Sequence, residues 1–291
     1  MTAPATVIYI ASDNRSGSTL LDQLLGGHPA AVSVGELRRL ADFVRRDEPC
    51  TCGLPVRECP FWGPVLAAEP EVETAALPRG ASRVAELGTQ ALLLAAPRPL
   101  LGRAKGARAR AEGCWRVADR AAAEAGAGWV VDSSKTPEQL RMLSLARPDA
   151  LRVIFLVRDG RGVALSKAQR RGMPFWRGVV SWTASNLRLL MALRSVPASR
   201  RLTVRYEALC EDPEREMRRI AEFAGLPYDP ALTRLDRSGR HNIGGSPHRF
   251  DAGPATIRLD DRWHGFVRGS KAVQFGVLGG WLNALLGYRR R

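Results

Sequence analysis

An apolar run, a glycine-containing polar loop and a helical segment stand in direct succession near the start of the chain. Residues 7–10, Val-Ile-Tyr-Ile, have the β-branched and aromatic composition of a buried strand. Polar residues occupy 13–18, and residues 19–25 then carry apolar side chains at helical spacing until two glycines end the pattern. The sequence therefore predicts a strand that enters a helix through a short glycine turn.

The glycine turn has the composition of an anion-binding loop. A turn that feeds a helix presents unpaired backbone N–H groups and the positive end of the helix dipole. A guanidinium group and hydroxyl donors are added at the same place by Arg15, Ser16, Gly17, Ser18 and Thr19. The Walker pattern Gly-x-x-x-x-Gly-Lys-Ser/Thr is absent. We interpret the loop as a cradle for phosphate or sulfate oxygens, with an ordinary strand-to-helix turn as the alternative.

A second strand, turn and helix follow the same plan further along the chain. Residues 151–157, Leu-Arg-Val-Ile-Phe-Leu-Val, are nearly all apolar, as expected of a central parallel strand. The turn at 158–162 begins with Arg158, and Ser166 lies two helical turns further on. This segment is a second candidate anion site.

Two further polar side chains follow predicted strands. Glu36 comes after the strand predicted at 31–34, and Lys135 comes after the strand predicted at 129–131. Side chains at the carboxyl ends of parallel strands point into the crevice where α/β sheets bind ligands. A glutamate favoured by a helix dipole and a lysine on a surface turn are the alternatives, which the strand ends alone leave open.

The charge balance favours an anionic ligand. The 291 residues carry a net charge of +15, and only four of the 44 basic residues are lysines. Such an excess also suits nucleic acid. The aromatic residues are not interleaved with basic ones as they are in proteins that stack single-stranded bases, so we expect no nucleic-acid partner.

We expect one domain over residues 1–291, with an insertion at about 50–128 that contains a cysteine loop and a helical cap. Helices are predicted at 84–94 and 113–125, separated by prolines. The odd number of cysteines, the lack of an apolar span of membrane length and the lack of a leader-like N-terminal segment together predict a cytoplasmic protein.

Three cysteines, Cys50, Cys52 and Cys59, stand close together at the start of the insertion. A structural zinc site needs four ligands, so a fourth would have to come from Cys114, Cys210 or a histidine elsewhere. We favour a compact loop packed by its aromatic residues over a metal site, and we assign no metal.

Two features near the C-terminus have more than one interpretation. The loop at 241–250 contains glycines and basic residues, among them Arg249, and it can close over a bound phosphate or simply connect two elements. Beyond it, an amphipathic helix is predicted by Leu278, Trp281, Leu282, Leu285 and Leu286. We expect this helix to dock on the domain, with peripheral contact to a membrane surface as the alternative.

Together these motifs resemble the sulfotransferases that use 3′-phosphoadenosine-5′-phosphosulfate (PAPS). The loop Arg15-Ser-Gly-Ser-Thr is similar to that family's 5′-phosphosulfate loop, and residues 157–166 are similar to its 3′-phosphate motif. The resemblance implies that Arg158 and Ser166 hold the 3′-phosphate. It also implies a P-loop-like three-layer α/β fold, in which a central parallel sheet is flanked by helices, plus the helical insertion.

The closest resemblance is to bacterial members similar to the protein-tyrosine sulfotransferases. The spacing from Arg15 through His28-Pro29 to Glu36 matches those enzymes, in which the glutamate is the catalytic base. Lys135 falls where they place a lysine, and Tyr206 falls where a tyrosine lies beside the adenine. We add Arg249 to the residues expected to contact the cosubstrate.

The resemblance implies transfer of a sulfuryl group from PAPS to a hydroxyl acceptor, such as a sugar, a phenol, a natural product or a lipid. Glu36 would be the base, and Arg15 and Lys135 would stabilise the leaving phosphate, with no metal required. A P-loop nucleotide kinase is the rival enzyme, but the Walker lysine is absent and Asp132 is the only obvious Mg²⁺ ligand. A non-enzymatic polyanion-binding protein is the third hypothesis.

Overall fold

The protein is built around a parallel β-sheet. The computed structural model describes residues 4–73, 107–236, 239–245, 250 and 253–288. Within these ranges a five-stranded sheet has the order β2-β3-β1-β4-β5, with every neighbouring pair parallel. Its strands are β1 Thr6–Ser12, β2 Ala31–Gly35, β3 Trp129–Asp132, β4 Leu151–Val157 and β5 Arg201–Arg205. A two-stranded antiparallel ribbon pairs β6 Leu235–Asp236 with β7 Pro254–Ala255.

Helices cover both faces of the sheet, which gives the three-layer α/β fold predicted from the sequence. The helices are α1 Ser18–Leu25, α2 Leu40–Arg46, α3 Trp62–Ala68, α4 Ala107–Glu124, α5 Pro137–Ala146, α6 Gly160–Arg171, α7 Phe175–Leu193, α8 Tyr206–Glu211, α9 Pro213–Ala224, α10 Trp263–Phe266, α11 Ser270–Phe275 and α12 Trp281–Leu285.

The two faces of the sheet have separate hydrophobic cores. Alternate residues of a strand point to opposite faces, so Ile8 packs with Leu21 of α1 and Ile220 of α9. On the other face, Val7 shares a core with Trp115 of α4, Leu189 of α7 and residues of α5. Since both faces are covered, the central strands are apolar on both sides.

The strand order creates a crevice at the carboxyl ends of β1 and β4. The chain leaves β1 toward α1 on one face of the sheet, and it leaves β4, through α6, toward α7 on the opposite face. Ligands of open α/β sheets bind where neighbouring strands diverge in this way. The anion-binding loop predicted after β1 and the one predicted after β4 therefore lie side by side.

The described end of the segment that we interpret as an insertion contributes to the helical layer. The helix predicted at 113–125 is found within α4, whose Trp115 is fully buried and donates from its indole N–H to the carbonyl of Leu143 in α5 at 3.0 Å. The helix predicted at 84–94 lies outside the described residues. Residues of α4 thus complete the core over β1 and β3.

The C-terminal segment docks on the domain through three of its predicted apolar positions, Leu278, Leu282 and Leu286, and exposes the other two. Leu282 is fully buried against Val163 and Trp182, as predicted for a docking helix. Trp281 and Leu285, two of the apolar positions that predicted the helix, lie outside the docked face, because their side chains are 48% and 69% exposed. Each lies one position from the buried Leu282 or half-buried Leu286, and one helical position rotates a side chain by about 100°. None of the described helices is both long enough and apolar enough to span a bilayer.

Leu282 and Leu285 provide a matched test of this docking. Leu282→Ala should lower the free energy of unfolding by about 2–5 kcal/mol, because it opens a cavity in a closed core. Leu285→Ala removes the same atoms from an exposed site and should change that free energy by about 0.5 kcal/mol or less. Urea denaturation measures both. Equal losses in the two variants would contradict the docked orientation.

Candidate active site

A cleft of about 630 Å³ opens at the carboxyl ends of the strands. Its walls come from the loop after β1, the start of α1, the ends of β2, β3 and β4, and the segment that follows β7. The lining residues are Asn14, Arg15, Gly17, Ser18, Thr19, Leu20, Gln23, Glu36, Lys135, Arg158, Lys167, Arg170, Tyr206, Leu235, Gly245, Thr256, Ile257, Arg258 and Asp260. Most of the residues predicted as site residues therefore share one cavity.

The loop after β1 requires glycine at position 17. Gly17 has a φ of 91°, a left-handed conformation that L side chains rarely adopt. A Cβ atom there would lie 2.4 Å from Cδ2 of Tyr206. The glycine therefore lets the ring of Tyr206 pack directly on the loop, where α1 begins at Ser18.

Arg158 is held by four contacts at the edge of the cleft. Its guanidinium group donates to the carbonyl of Arg15 at 3.0 Å and to the carbonyl of Asp260 at 2.7 Å. The carboxylate of Asp260 lies 3.1 Å away, and the ring of Tyr206 lies under the guanidinium at 4.5 Å. Arg158 is only 6% exposed, so its planar group is fixed before any ligand arrives.

Arg15 joins the first anion loop to the second. Its Nε donates to the hydroxyl of Ser166 in α6 at 2.8 Å. Burial lowers the pKa of Arg15, and the positive charges of Arg170 and Arg158 lower it further. The two candidate anion sites are therefore in direct contact, although Arg15 and Ser166 are 151 residues apart in the sequence. The neighbouring positive charges favour a bound anion.

Glu36 and Lys135 form a buried ion pair. The ammonium of Lys135 lies 2.6 Å from Oε1 of Glu36, and their side chains are only 11% and 8% exposed. Guanidinium groups of Arg38 and Arg39 lie 3.8 and 3.9 Å from the other carboxylate oxygen. Because both partners line the cleft, a carboxylate and an ammonium face the anion loops together.

Backbone strain occurs at two of the predicted catalytic residues. Arg15 and Lys135 have φ values of 73° and 67°, and Asp47 is the only other non-glycine among the described residues with a positive φ. Such a conformation costs about 1–3 kcal/mol per residue and is concentrated at functional sites. Both residues line the cleft, so the fold accepts strain at two of its cationic residues.

The backbone of Glu36 is supported by residues 241–245, which we call the strap. The N–H of Glu36 donates to the carbonyl of Ile243 at 2.6 Å, and the N–H of Ile243 donates to the carbonyl of Val34 at 3.2 Å. A Cβ atom on Gly244 would lie 2.9 Å from Cβ of Glu36. The strap therefore limits how far Glu36 can move.

Tyr206 begins α8 and closes one side of the cleft. Its hydroxyl donates to the carbonyl of Arg258 at 3.3 Å and accepts from the N–H of Asp260 at 3.1 Å. Burial raises the pKa of Tyr206 to about 12, so the phenol stays neutral. Its ring is placed between Gly17 and Arg158, as a flat surface beside both anion loops.

Comparison with known proteins decides the family. A family model described as "Sulfotransferase family" matches residues 65–230, which is more than half of the chain. The chain belongs to the sulfotransferase family. The matched model describes the family as a whole and specifies no acceptor.

Solved structures share the fold of this sulfotransferase. The sulfotransferase domain from the Synechococcus PCC 7002 olefin synthase matches with a TM-score of 0.58 at 24% identity, over 100% of this chain and 98% of that one. The sulfotransferase domain from the curacin biosynthetic pathway matches with a TM-score of 0.56 at 18% identity, over 100% of both chains. No curated protein matches the chain. At these identities the two structures establish the fold, which agrees with the observed sheet.

Several predicted residues lie at the edge of the sulfotransferase cleft or outside its lining. Ser16 is buried within the loop, and Ser166, whose hydroxyl accepts from Nε of Arg15, is not among the lining residues. Arg249 lies outside the described residues. Asp132, the acidic residue a kinase would need, is fully buried, accepts from Ser134 and Gln139, and has a pKa raised by burial to about 6. Its carboxylate does not line the cleft.

Sequence reasoning missed a second buried ion pair and a whole wall of the cleft. Lys167 pairs with Asp13 at 2.6 Å and lines the cavity. Lysine is rare among the basic residues of this chain, and Lys167 directly follows Ser166. Both signals could have identified Lys167 from the sequence. The segment 256–260, which holds Arg158 and Tyr206, has no regular pattern, so the sequence carries no comparable signal for it.

Proposed function

We propose that this sulfotransferase transfers the sulfuryl group of PAPS to a hydroxyl group on a small-molecule or glycan acceptor. One observation carries the proposal. The two anion loops meet in a single cleft, where Arg15 contacts Ser166 at 2.8 Å and Arg158 contacts the carbonyl of Arg15 at 3.0 Å. PAPS has two separate anionic ends, a 5′-phosphosulfate and a 3′-phosphate, and therefore matches a cleft with two adjacent cationic sites.

We assign the 5′-phosphosulfate to residues 15–19, where α1 begins and backbone N–H groups are available. The 3′-phosphate is assigned to Arg158 and Ser166. The adenine is assigned to the side of the cleft near Tyr206, whose flat ring and neutral hydroxyl suit a base. Arg249 remains a proposed additional contact.

The chemistry follows from the position of Glu36. Its carboxylate takes the proton of the acceptor hydroxyl while the oxygen forms a bond to sulfur and the bond from sulfur to the bridging oxygen breaks. The electron pair stays on the departing 5′-phosphate, where Arg15 and Lys135 stabilise the negative charge. The products are a sulfate ester and adenosine 3′,5′-bisphosphate.

The Glu36–Lys135 pair suggests how the base is released. The ammonium of Lys135 lies 2.6 Å from the carboxylate of Glu36 and neutralises its charge. A phosphosulfate in the cleft competes for the same ammonium, since it carries more charge than one carboxylate. Glu36 then becomes available to the acceptor hydroxyl when the donor is in place.

The rival functions have less support. A P-loop kinase needs a Walker lysine and an acidic Mg²⁺ ligand, whereas the loop has no lysine and Asp132 is held by Ser134 and Gln139. A polyanion-binding protein needs basic residues on an open surface. Arg15 and Arg158 instead lie within a cleft, and Arg158 is nearly completely buried.

Glu36→Gln tests the base. The glutamine still offers Lys135 a hydrogen-bond acceptor but cannot take a proton, so kcat should fall by roughly 10²–10⁴-fold. Affinity for adenosine 3′,5′-bisphosphate should change little. Mass spectrometry with labelled PAPS and a panel of sugars, phenols, natural products and lipids identifies the acceptor and then measures the rate.

Glu214→Gln is the matched control, because Glu214 is an exposed glutamate that pairs with Arg218 at 2.7 Å outside the cleft. It should keep the wild-type rate. A Glu36→Gln protein with full activity would remove Glu36 from the role of base. Failure of the wild-type protein to bind the bisphosphate would overturn the donor assignment.

Gly17→Ala tests the assignment of the loop to the donor. The added methyl group collides with Tyr206, so affinity for adenosine 3′,5′-bisphosphate should fall by about 10-fold or more, or about 1.4 kcal/mol. Gly126→Ala is the control, since Gly126 also has a positive φ of 62° but no atom within 4 Å of the added carbon. Isothermal titration compares the two. Equal affinities would remove the loop and Tyr206 from the donor site.

A further inference from the structure

A cluster of sulfur and nitrogen atoms lies behind the strap, away from the cleft lining. It consists of Cys50, Cys52, Cys59 and His241, and one potential ligand atom from each of these residues lies within 4.8 Å of the others. Nδ1 of His241 is 3.2 Å from Sγ of Cys59 and 3.9 Å from Sγ of Cys50. The histidine comes from a segment 182 residues beyond Cys59, so folding alone brings the fourth group to the three cysteines.

The cysteine loop is shaped to direct its sulfur atoms to one point. The N–H of Gly53 donates to the carbonyl of Cys50 at 2.9 Å, and Gly53 has a φ of 89°, so the chain turns tightly between two of the cysteines. The N–H of Trp62 lies 3.5 Å from Sγ of Cys59. A backbone N–H directed at the sulfur of Cys59 helps to hold that side chain in one orientation.

His241 is oriented by its neighbours. The ring of Phe61 stacks on the imidazole at 5.4 Å with an interplanar angle of 15°. The indole N–H of Trp62 donates to the carbonyl of His241 at 2.6 Å, and Trp62 is fully buried. These contacts hold the imidazole of His241 in one orientation beside the cysteines.

The donor set selects the metal. Thiolates and imidazole suit zinc, whereas Mg²⁺ and Ca²⁺ prefer oxygen ligands. Three cysteines and one histidine are a known combination for structural zinc, in which all four positions are filled by protein. No member of the cluster lines the cleft, so a metal bound here would have a structural role and not a catalytic one.

The geometry points to a structural zinc site formed by Cys50, Cys52, Cys59 and His241. Three cysteines alone favour a packed loop, because the sequence identifies no fourth ligand. The fold supplies that ligand and places it within bonding reach of a shared ion, after small movements of the side chains. Phe61 and Trp62 still pack the loop, and in doing so they also shape the site.

A zinc ion bound to His241 holds the first residue of the strap, and the strap supports the backbone of Glu36. The strap begins at His241, and Asn242 then donates to the carboxylate of Asp22 at 2.7 Å and to the hydroxyl of Ser33 at 2.9 Å. Ile243 follows and accepts from the N–H of Glu36 at 2.6 Å. His241 is therefore a positioning residue, and this consequence rests on the proposed role of Glu36.

The metal content of the purified full-length protein tests the site directly. Mass spectrometry of the metals should find one zinc ion per chain after gel filtration. His241→Ala and Cys59→Ser should each lose that zinc, while Cys114→Ser, which changes a cysteine outside the cluster, should keep it. His241→Cys restores four ligands and should retain zinc, so poor folding of the alanine variant cannot explain the whole pattern.

Cobalt substitution reports the coordination. Replacement of zinc by Co²⁺ should give the visible bands of a tetrahedral centre and a thiolate-to-cobalt charge-transfer band, which should strengthen in His241→Cys. Wild-type protein without zinc, or His241→Ala with a full complement of zinc, would overturn the site. These measurements do not depend on sulfuryl transfer, so the site and the proposed function can fail separately.

The positioning role has its own readout. Loss of zinc should lower kcat by roughly 10–100-fold while the affinity for adenosine 3′,5′-bisphosphate stays near the wild-type value. His241→Cys should recover much of that loss. Unchanged kcat in a zinc-free protein would overturn the link between the metal and Glu36, even where the metal itself is bound.

Discussion

The crowding of two guanidinium groups at the carboxyl ends of β1 and β4 is the constraint on which the rest of the site depends. Arg158 donates to the backbone of Arg15 at 3.0 Å, and the pKa of Arg15 is lowered by burial and by its cationic neighbours. Like charges in a partly desolvated cleft repel each other unless an anion lies between them. The protein holds this arrangement in advance, so a bound anion gains the full electrostatic benefit without reorganising the site.

The remaining parts of the site keep that cationic centre in place and hold the carboxylate of Glu36 beside it. Asp260 and the ring of Tyr206 hold Arg158, and the strap holds the backbone of Glu36. Lys135 connects the two halves, since it neutralises the carboxylate and lines the same cavity as Arg15. The zinc site inferred from the cysteine cluster would extend this support to the far end of the strap.

Local sequence patterns predicted many of the strands and helices, whereas contacts between distant segments could not be predicted from the sequence. The strands at 7–10 and 151–157 are apolar on both faces, and each ends in a turn whose chemistry is visible in a few residues. The wall formed by 256–260 and the meeting of His241 with the cysteines depend on tertiary packing between distant segments. The apolar spacing of the C-terminal helix predicted the helix correctly, but it could not distinguish Leu282 from the exposed Leu285.

A titration of the wild-type protein with three nucleotides tests the central claim, a cleft with two anion sites for one donor. Adenosine 3′,5′-bisphosphate should bind roughly 10- to 100-fold more tightly than adenosine 5′-monophosphate, since the 3′-phosphate adds charge-assisted hydrogen bonds of about 1.5–3 kcal/mol. Arg158→Ala should remove most of that preference. Equal affinity for the two nucleotides, or tighter binding of ATP with Mg²⁺, would contradict a cleft with two anion sites for PAPS.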